Sequence, residues 1–347
     1  MIKKIILASL ASLVLILFGC NALPDNLDSI NSINSQEIKS EVKSISTDGN
    51  FTNQVNSSEI QVIDVADVPD VNQSSTNDIY SGSTIKIATF NIQVFGTTKA
   101  GKKDVVEILK KIVRKFDIVA VQEFRDSTGT VIPFFLNEIN SMNNSNGSNS
   151  KYDVVFSERL GRTSSKEQYA FFFNTDKIKF KKNSSYVFND TNDTFEREPF
   201  IAQFSSGNFD FALANIHTKP EDATREINKL ADVADDFLVR FPNEKDIIVL
   251  GDYNADCTYF RENNLAQKFL DGKYYWAVDN SADTTTKSTN CTYDRIVFLK
   301  NDTLSDFAGN WSVVRFDVEY NLTQSFTEQV SDHYPVWGEF WVGNDVD

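Results

Sequence analysis

Two histidines, three cysteines, two methionines and seven prolines in 347 residues leave little material for several kinds of site. With only His217 and His333 to supply imidazole, and no cysteine cluster, a zinc centre has too few ligands, which argues against the zinc hydrolases. Positive charge is also short: 34 Lys and Arg stand against 49 Asp and Glu, a net charge of -15 at pH 7. A nucleic-acid substrate would therefore have to be received by a local basic patch or by divalent cations rather than by the global field. Discounting the leader and the Ser/Asn/Asp-rich stretch after it leaves the remainder still acidic. No internal repeat is present, and low complexity is confined to residues 21–83 and the Asn/Ser-rich stretch Asn143–Ser150.

The almost unbroken apolar run Ile5–Phe18 follows Lys3 and Lys4 and precedes Gly19 and Cys20. That is the n-region, h-region and small-residue processing site of an export signal, too short to prefer a permanent span. Its ending, Leu17-Phe18-Gly19-Cys20, resembles a bacterial lipobox, in which Cys20 becomes the lipid-modified first residue of the mature chain. Residues 21–83 are rich in Ser, Asn and Asp, with Phe51 and Tyr80 as their only aromatics. Such a stretch buries too little apolar surface to offset its ordering entropy. The expected organisation is a lipoprotein signal peptide at 1–20, a flexible tether at 21–83 and a folded domain at 84–347, held outside a bacterial cell membrane. With Cys20 lipidated, Cys257 and Cys291 remain, and an oxidising exterior permits a bridge between them worth about 3 to 4 kcal/mol.

From Thr84 the texture changes. TIKIATFNI reads as a strand ending at Asn91, KKDVVEILKKIVRKF (Lys102 to Phe116) as a helix with a basic outer face, and DIVAVQEF as a strand ending at Gln122 and Glu123. VIPFFLNEINSM reads as a helix, followed by the strands YDVVFSERL, QYAFFFN, FIAQFSS and FDFALANIH, the last ending at His217. A long amphipathic helix is expected over Glu221 to Phe241, then strands at IIVLGD, CTYDRIVF and HYPVWGEFWV. Strands mixed with helices in this way suit an α/β fold of two packed sheets flanked by helices.

Polar residues recur where these strands end. Asn91, Glu123, His217, Asp252 with Asn254, Asp294, and Asp332 with His333 each lie at or beside a strand terminus, and a sandwich gathers such ends at one edge. Asn91, Glu123, Asp252, Asn254 and Asp332 offer oxygen ligands, the set that a hard cation such as Mg2+ prefers. Both histidines stand there too, suited to general acid and base work near neutral pH. Each needs a carboxylate to orient it, and Glu167 and Asp294 are the candidates. A hard cation, carboxylates and two imidazoles in one pocket describe metal-assisted phosphodiester hydrolysis.

TFN with Asn91, QEFRD with Glu123 and Arg125, KEQYAFFFN with Glu167, NIHTKP with His217, GDYNADC, SADTTTKSTNCTYDRIV and SDHYPV appear in an order that resembles the endonuclease/exonuclease/phosphatase superfamily, and within it the deoxyribonuclease I branch. The resemblance runs from about Thr84 to Trp341. It implies a four-layered α/β sandwich of two packed mixed β-sheets flanked by helices, and a metal-dependent endonuclease cutting double-stranded DNA as a monomer. By motif position, Asn91, Glu123 and Asp332 hold Mg2+, and Asp252 and Asn254 complete the phosphate and metal shell. Glu167 pairs with His217 and Asp294 with His333. Arg125 reaches into the DNA minor groove, Cys257 and Cys291 form a disulfide, and Asp283, Thr285 and Thr289 form a structural Ca2+ loop. Ser165, Gln93 and Lys287 depart from the pattern, standing where a tyrosine, an arginine and a calcium-loop residue are expected. The segment Phe188 to Arg197 lacks a second, small disulfide. Losing a stacking ring and a cation weakens DNA grip without touching the chemistry. A sphingomyelin or phospholipid phosphodiesterase of the same superfamily is the alternative enzyme, and a surface adhesin or DNA-binding module the alternative of another class.

Overall fold

A computed structural model describes residues 82–142, 150–260, 268–343 and 345. The expected signal peptide, Cys20, almost all of the tether, and residues 143–149 of the Asn/Ser-rich stretch lie outside the described residues. The elements in chain order are β1 (Thr84–Phe95), α1 (Thr97–Ala100), α2 (Lys103–Val113), β2 (Ile118–Phe124), α3 (Val131–Asn140), β3 (Tyr152–Phe156), β4 (Gln168–Asn174), β5 (Lys179–Phe180), β6 (Tyr186–Val187), β7 (Phe200–Ser206), β8 (Phe209–His217), α4 (Ala223–Arg240), β9 (Ile247–Asp252), β10 (Tyr274–Trp276), β11 (Asp294–Leu299), β12 (Phe307–Val313), α5 (Phe316–Glu319), α6 (Gln324–Val330) and β13 (Val336–Trp341).

One sheet runs β12-β13-β1-β2-β4-β3, the other β10-β11-β9-β8-β7-β5, with β6 paired to β7. Both are mixed: β1 with β2 and β8 with β9 are parallel, each pair joined through a helical crossover, and the other pairings are antiparallel. Three apolar clusters fill the three interfaces of a four-layered sandwich. Ala88, Phe90 and Ile92 face Val105, Leu109 and Ile112 of α2 and Phe135 of α3 on one outside. Ile216, Ile247 and Val249 face Ile227, Leu230, Ala234 and Phe237 of α4 on the other. Between the sheets, the alternate residues Ile85 and Ile87, Ile118 and Ala120, Phe209, Phe211 and Leu213, Ile248 and Leu250, and Ile296 and Phe298 pack together. β2, β4, β9 and β11 are covered on both faces and buried throughout, which is why each carries a continuous apolar run with its polar residues at the ends.

Where α4 crosses back, β8 and β9 approach so closely that only glycine fits. Gly251 pairs with Ile216 and has φ +151°, and a Cβ built on it would lie 1.9 Å from the Ile216 carbonyl oxygen. This contact holds His217 opposite Asp252.

The structure extends several expected elements and adds others. β1 continues past Asn91 to Phe95, but its register with β2 shifts there, and Gln93 and Val94 both adopt φ 48°. The buried Lys99 ammonium holds this left-handed kink by donating to the Ile92 and Gln93 carbonyls at 2.7 and 2.9 Å. β12 carries no alternation to read: FAGNWSV is an edge strand buried only at Phe307. The strand expected over Cys291–Phe298 begins only at Asp294.

At the far end of the sandwich, Glu244 is buried and accepts the Asp246 N–H at 2.9 Å. Burial pushes its carboxyl up to about 9, and the neighbouring Asp210 adds to the shift. The folded chain thus keeps a proton that the unfolded chain loses near the ordinary glutamate range, so this stabilisation is full at low pH and is lost as pH rises toward 9. Glu244→Gln, which mimics the protonated form, is expected to be nearly neutral at pH 5 and to raise the unfolding midpoint at pH 9. A shift equal at both pH values would contradict this.

Candidate active site

The apolar rows between the sheets end in polar residues, all at the same edge. Ile85, Ile87 and Thr89 lead to Asn91 on β1, Leu213 and Asn215 to His217 on β8, and Ile248 and Leu250 to Asp252 on β9. Phe298 and Ile296 lead back to Asp294 on β11, and Phe171 and Tyr169 to Glu167 before β4. Period-two alternation points each of these side chains into the gap between sheets. Glu123 is the exception, because Gln122 holds the inward phase of β2. A left-handed turn at Glu123, φ 70°, brings its carboxylate into the cluster.

The two imidazoles are placed alike. His217 Nδ1 lies 2.9 Å from Glu167 Oε2, and His333 Nδ1 lies 2.8 Å from Asp294 Oδ2. Both Nε2 atoms then face one atom, Asp252 Oδ2, at 3.4 Å each. A carboxylate on Nδ1 assigns the proton there and leaves Nε2 to the reaction. Each pair joins the two sheets: Glu167 leads into β4 and faces a histidine of the other sheet, and His333 leads into β13 and faces Asp294 of the other sheet.

Charge around the pairs is strongly perturbed. Burial would raise Glu167, but His217, Arg197 and Arg125 hold it down at about 2. Burial would lower both histidines, and the carboxylates reverse this: Glu167 raises His217, and Asp294 with Asp252 raises His333 well above the ordinary imidazole range. Burial pushes Asp294 up, so the Asp294–His333 pair holds its proton firmly. Burial also acts to raise Asp332, yet His333 and Lys287 leave it below the usual carboxylate range.

Asn91 meets the cluster through its amide nitrogen. Nδ2 donates to Glu123 Oε1 at 3.1 Å and to Asp252 Oδ2 at 3.0 Å, while Oδ1 accepts the Gln93 N–H at 2.9 Å, which fixes the orientation. Glu123 Oε2 accepts the Val94 N–H at 2.7 Å. Asp332 Oδ2 lies 3.1 Å from Lys287 Nζ. Asn254 is in the left-handed region, φ 48°, with its N–H on Asp252 Oδ1 and its Nδ2 on the Thr218 carbonyl. The Arg125 guanidinium folds back onto Glu167, 2.8 Å from Oε1, and Glu123, 3.3 Å from Oε2. Thr285 donates its N–H and Oγ1–H to Asp283 Oδ1, and its hydroxyl also meets the Thr289 carbonyl. That loop is joined to the site by a backbone bridge between Thr285 and His333. Cys257 and Cys291 form a disulfide, with Cα atoms 5.9 Å apart, tying the turn after Asn254 to the segment entering β11.

Several supporting residues left no signal in the sequence. Arg197, on the segment before β7, grips Glu167 Oε1 at 3.1 Å and the His217 carbonyl at 3.1 and 3.2 Å. Tyr169 Oη accepts the His217 N–H at 2.9 Å. Ser331 Oγ donates to the Asn91 carbonyl at 2.7 Å and accepts the His333 N–H at 3.0 Å.

Residues 88–333 match the Endonuclease/Exonuclease/phosphatase family. Deoxyribonuclease-1 of Bos taurus is 36% identical over 266 residues, covering 74% of this chain and 92% of that protein. The chain belongs to the endonuclease/exonuclease/phosphatase family. Deoxyribonuclease gamma of Homo sapiens is similar to it as well, 35% identical over 269 residues, covering 74% of this chain and 86% of that protein. The human Nocturnin catalytic domain shares the fold with a TM-score of 0.50 at 17% identity, covering 74% of this chain and 94% of that one. As a member of this family the protein is a hydrolase of phosphodiester bonds.

The side chains present fit the divalent cation on which this family depends. Two groups, Glu123 with Glu167 and His217, and Asp252 with Asp294 and His333, each bring their ligand atoms within 4.8 Å of one another. Glu123, Asp252 and Asp332 add hard oxygen donors and surplus negative charge at one edge, the chemistry that a hard cation balances.

Proposed function

We propose that this protein is a divalent-cation-dependent endonuclease that cuts double-stranded DNA with low sequence specificity, acting as a monomer held outside a bacterial membrane by a lipid on Cys20. The observation that carries the reading is the convergence of both imidazole Nε2 atoms on Asp252 Oδ2, each ring steadied by a buried carboxylate. Relatives named as deoxyribonucleases, similar along most of their length, supply the substrate class.

A phosphodiester in this gap would lie between the two rings. One imidazole would take a proton from the attacking water and the other would return one to the departing oxygen, the division of labour that two flanking histidines allow. Glu167 and Asp294 hold the Nδ1 protons and stabilise each ring when charged. Asn91, with its N–H bonds to Glu123 and Asp252, keeps those carboxylates from swinging apart. Asn91, Glu123 and Asp332 would hold Mg2+, with Asp252 beside them; when bound, the cation supplies positive charge against the phosphate and the leaving oxygen. Asp283, Thr285 and the Thr289 carbonyl would hold Ca2+, which would brace the backbone bridge to His333. The chain is acidic overall, so this local arrangement rather than the global field receives DNA.

The test is incubation of the purified protein with plasmid DNA, RNA and sphingomyelin, in Mg2+, in Ca2+ and in chelator. Nicking of the plasmid in Mg2+, reduced at least ~10²-fold by chelator, is expected. Release of choline phosphate without nicking would overturn the substrate assignment. Cys20→Ser is expected to move the protein out of the membrane fraction, and continued membrane fractionation would contradict lipidation.

A further inference from the structure

One pleat beneath the site, the apolar layer between the sheets is interrupted by three fully buried polar side chains, Thr89, Gln122 and Asn215. Their row neighbours Ile87, Ala120 and Leu213 are apolar. Gln122 Nε2 donates to Thr89 Oγ1 of the adjacent strand at 2.9 Å and, across the gap, to Asn215 Oδ1 of the other sheet at 2.7 Å. Asn215 Nδ2 answers by donating to the Val121 carbonyl at 3.2 Å. Two hydrogen bonds of opposite direction thus join the sheets at their centre.

The arrangement is costly. Gln122 Oε1 is buried with no hydrogen-bond partner, and an unmatched buried acceptor destabilises by about 1 to 3 kcal/mol. Three apolar side chains of equal volume would pack the same space without that penalty. Apolar packing, however, has no direction and pairs no particular atom of one sheet with a particular atom of the other. The chemistry here does not tolerate sliding, because both histidine–carboxylate pairs span the two sheets. Thr89 lies two residues from Asn91, Asn215 two residues from His217, and Gln122 next to Glu123.

We infer that Thr89, Gln122 and Asn215 form a positioning clamp that sets the registration of the two sheets, and through it the contacts of His217 with Glu167 and of His333 with Asp294. The clamp touches neither substrate nor cation. The Asn91–Asp252 and Glu167–His217 contacts also cross between the sheets, but they belong to the reacting cluster itself, so alignment has to be held beneath them. The inference rests on the hydrolytic reading of the site.

The test is the isosteric variant Thr89→Val/Gln122→Leu/Asn215→Leu, with Gln122→Met/Asn215→Leu read in the same way if the triple change fails to fold. The expected result is an unfolding midpoint equal to or above wild type, KM for plasmid DNA unchanged, and kcat lowered between ~10- and ~100-fold, the loss that a displacement of about 1 Å produces. A second readout is independent of activity. The chain has only two histidines, so selective 15N labelling gives one set of imidazole signals for each. Both Nδ1–H signals should shift or broaden in the variant. Loss of plasmid nicking by wild type itself would refute the substrate assignment and leave this readout to decide the clamp. Unchanged imidazole signals, or a wild-type kcat in a folded variant, would overturn it.

Discussion

His217→Ala and His333→Ala are each expected to lower plasmid cleavage by ~10²- to 10⁴-fold, the range for removing a positioned general acid or base. Neither change should unfold the protein. Without His217, Glu167 keeps Arg197 at 3.1 Å and Arg125 at 2.8 Å. Without His333, Asp294 loses its imidazole, and because burial already pushes that carboxyl up, it can take a proton and remain neutral in the core. The His333 variant should therefore lose stability relative to wild type mainly as pH rises, when that proton is hardest to keep. Rates within a few-fold of wild type in either folded variant would contradict the acid and base roles.

Asp294→Asn is expected to cost almost as much as removing the ring it orients. The substitution preserves volume, but an amide nitrogen facing His333 Nδ1 turns that atom from donor to acceptor and moves the proton to Nε2, the face turned to the reaction. It also removes the nearest charge that raises His333. A serine-protease triad loses ~10⁴ from the same exchange, and a loss within the ~10²- to 10⁴-fold expected for His333→Ala, and no larger than that variant's, is expected here. The limb of the pH–rate profile that belongs to His333 should move to lower pH. A profile superimposable on wild type, at a similar rate, would show that Asp294 is merely structural.

Most of the site could be read because its residues stand where apolar strand runs end, and the period of two of those strands turns them inward. IKIATFN, FALANIH, IIVLGD and DRIV each alternate toward the gap between the sheets and place a polar residue at the same end, so Asn91, His217, Asp252 and Asp294 stand on one edge. Alternation fails where the backbone leaves the regular strand. Glu123 is out of phase with Ala120 and Gln122, and only its left-handed φ carries it into the cluster. The direction of a side chain also escapes the pattern: Asn91 presents its nitrogen to the carboxylates because the kink at Gln93 supplies an N–H to its oxygen. Arg197 and Ser331 act on atoms of segments distant from their own, as when Arg197 grips the His217 carbonyl, and no local spacing encodes such a contact. The edge strand β12 was invisible because a strand with little buried surface needs no alternation.

Two imidazoles facing one point should act within one step, and the most direct measurement of that is a double-mutant cycle on plasmid nicking. If His217 and His333 serve one transition state, the His217→Ala/His333→Ala variant should be nearly as active as the weaker single variant, since the first loss removes most of what the second could contribute. A double loss equal to the product of the two single losses would mean that the rings act independently, and would contradict a shared site at Asp252.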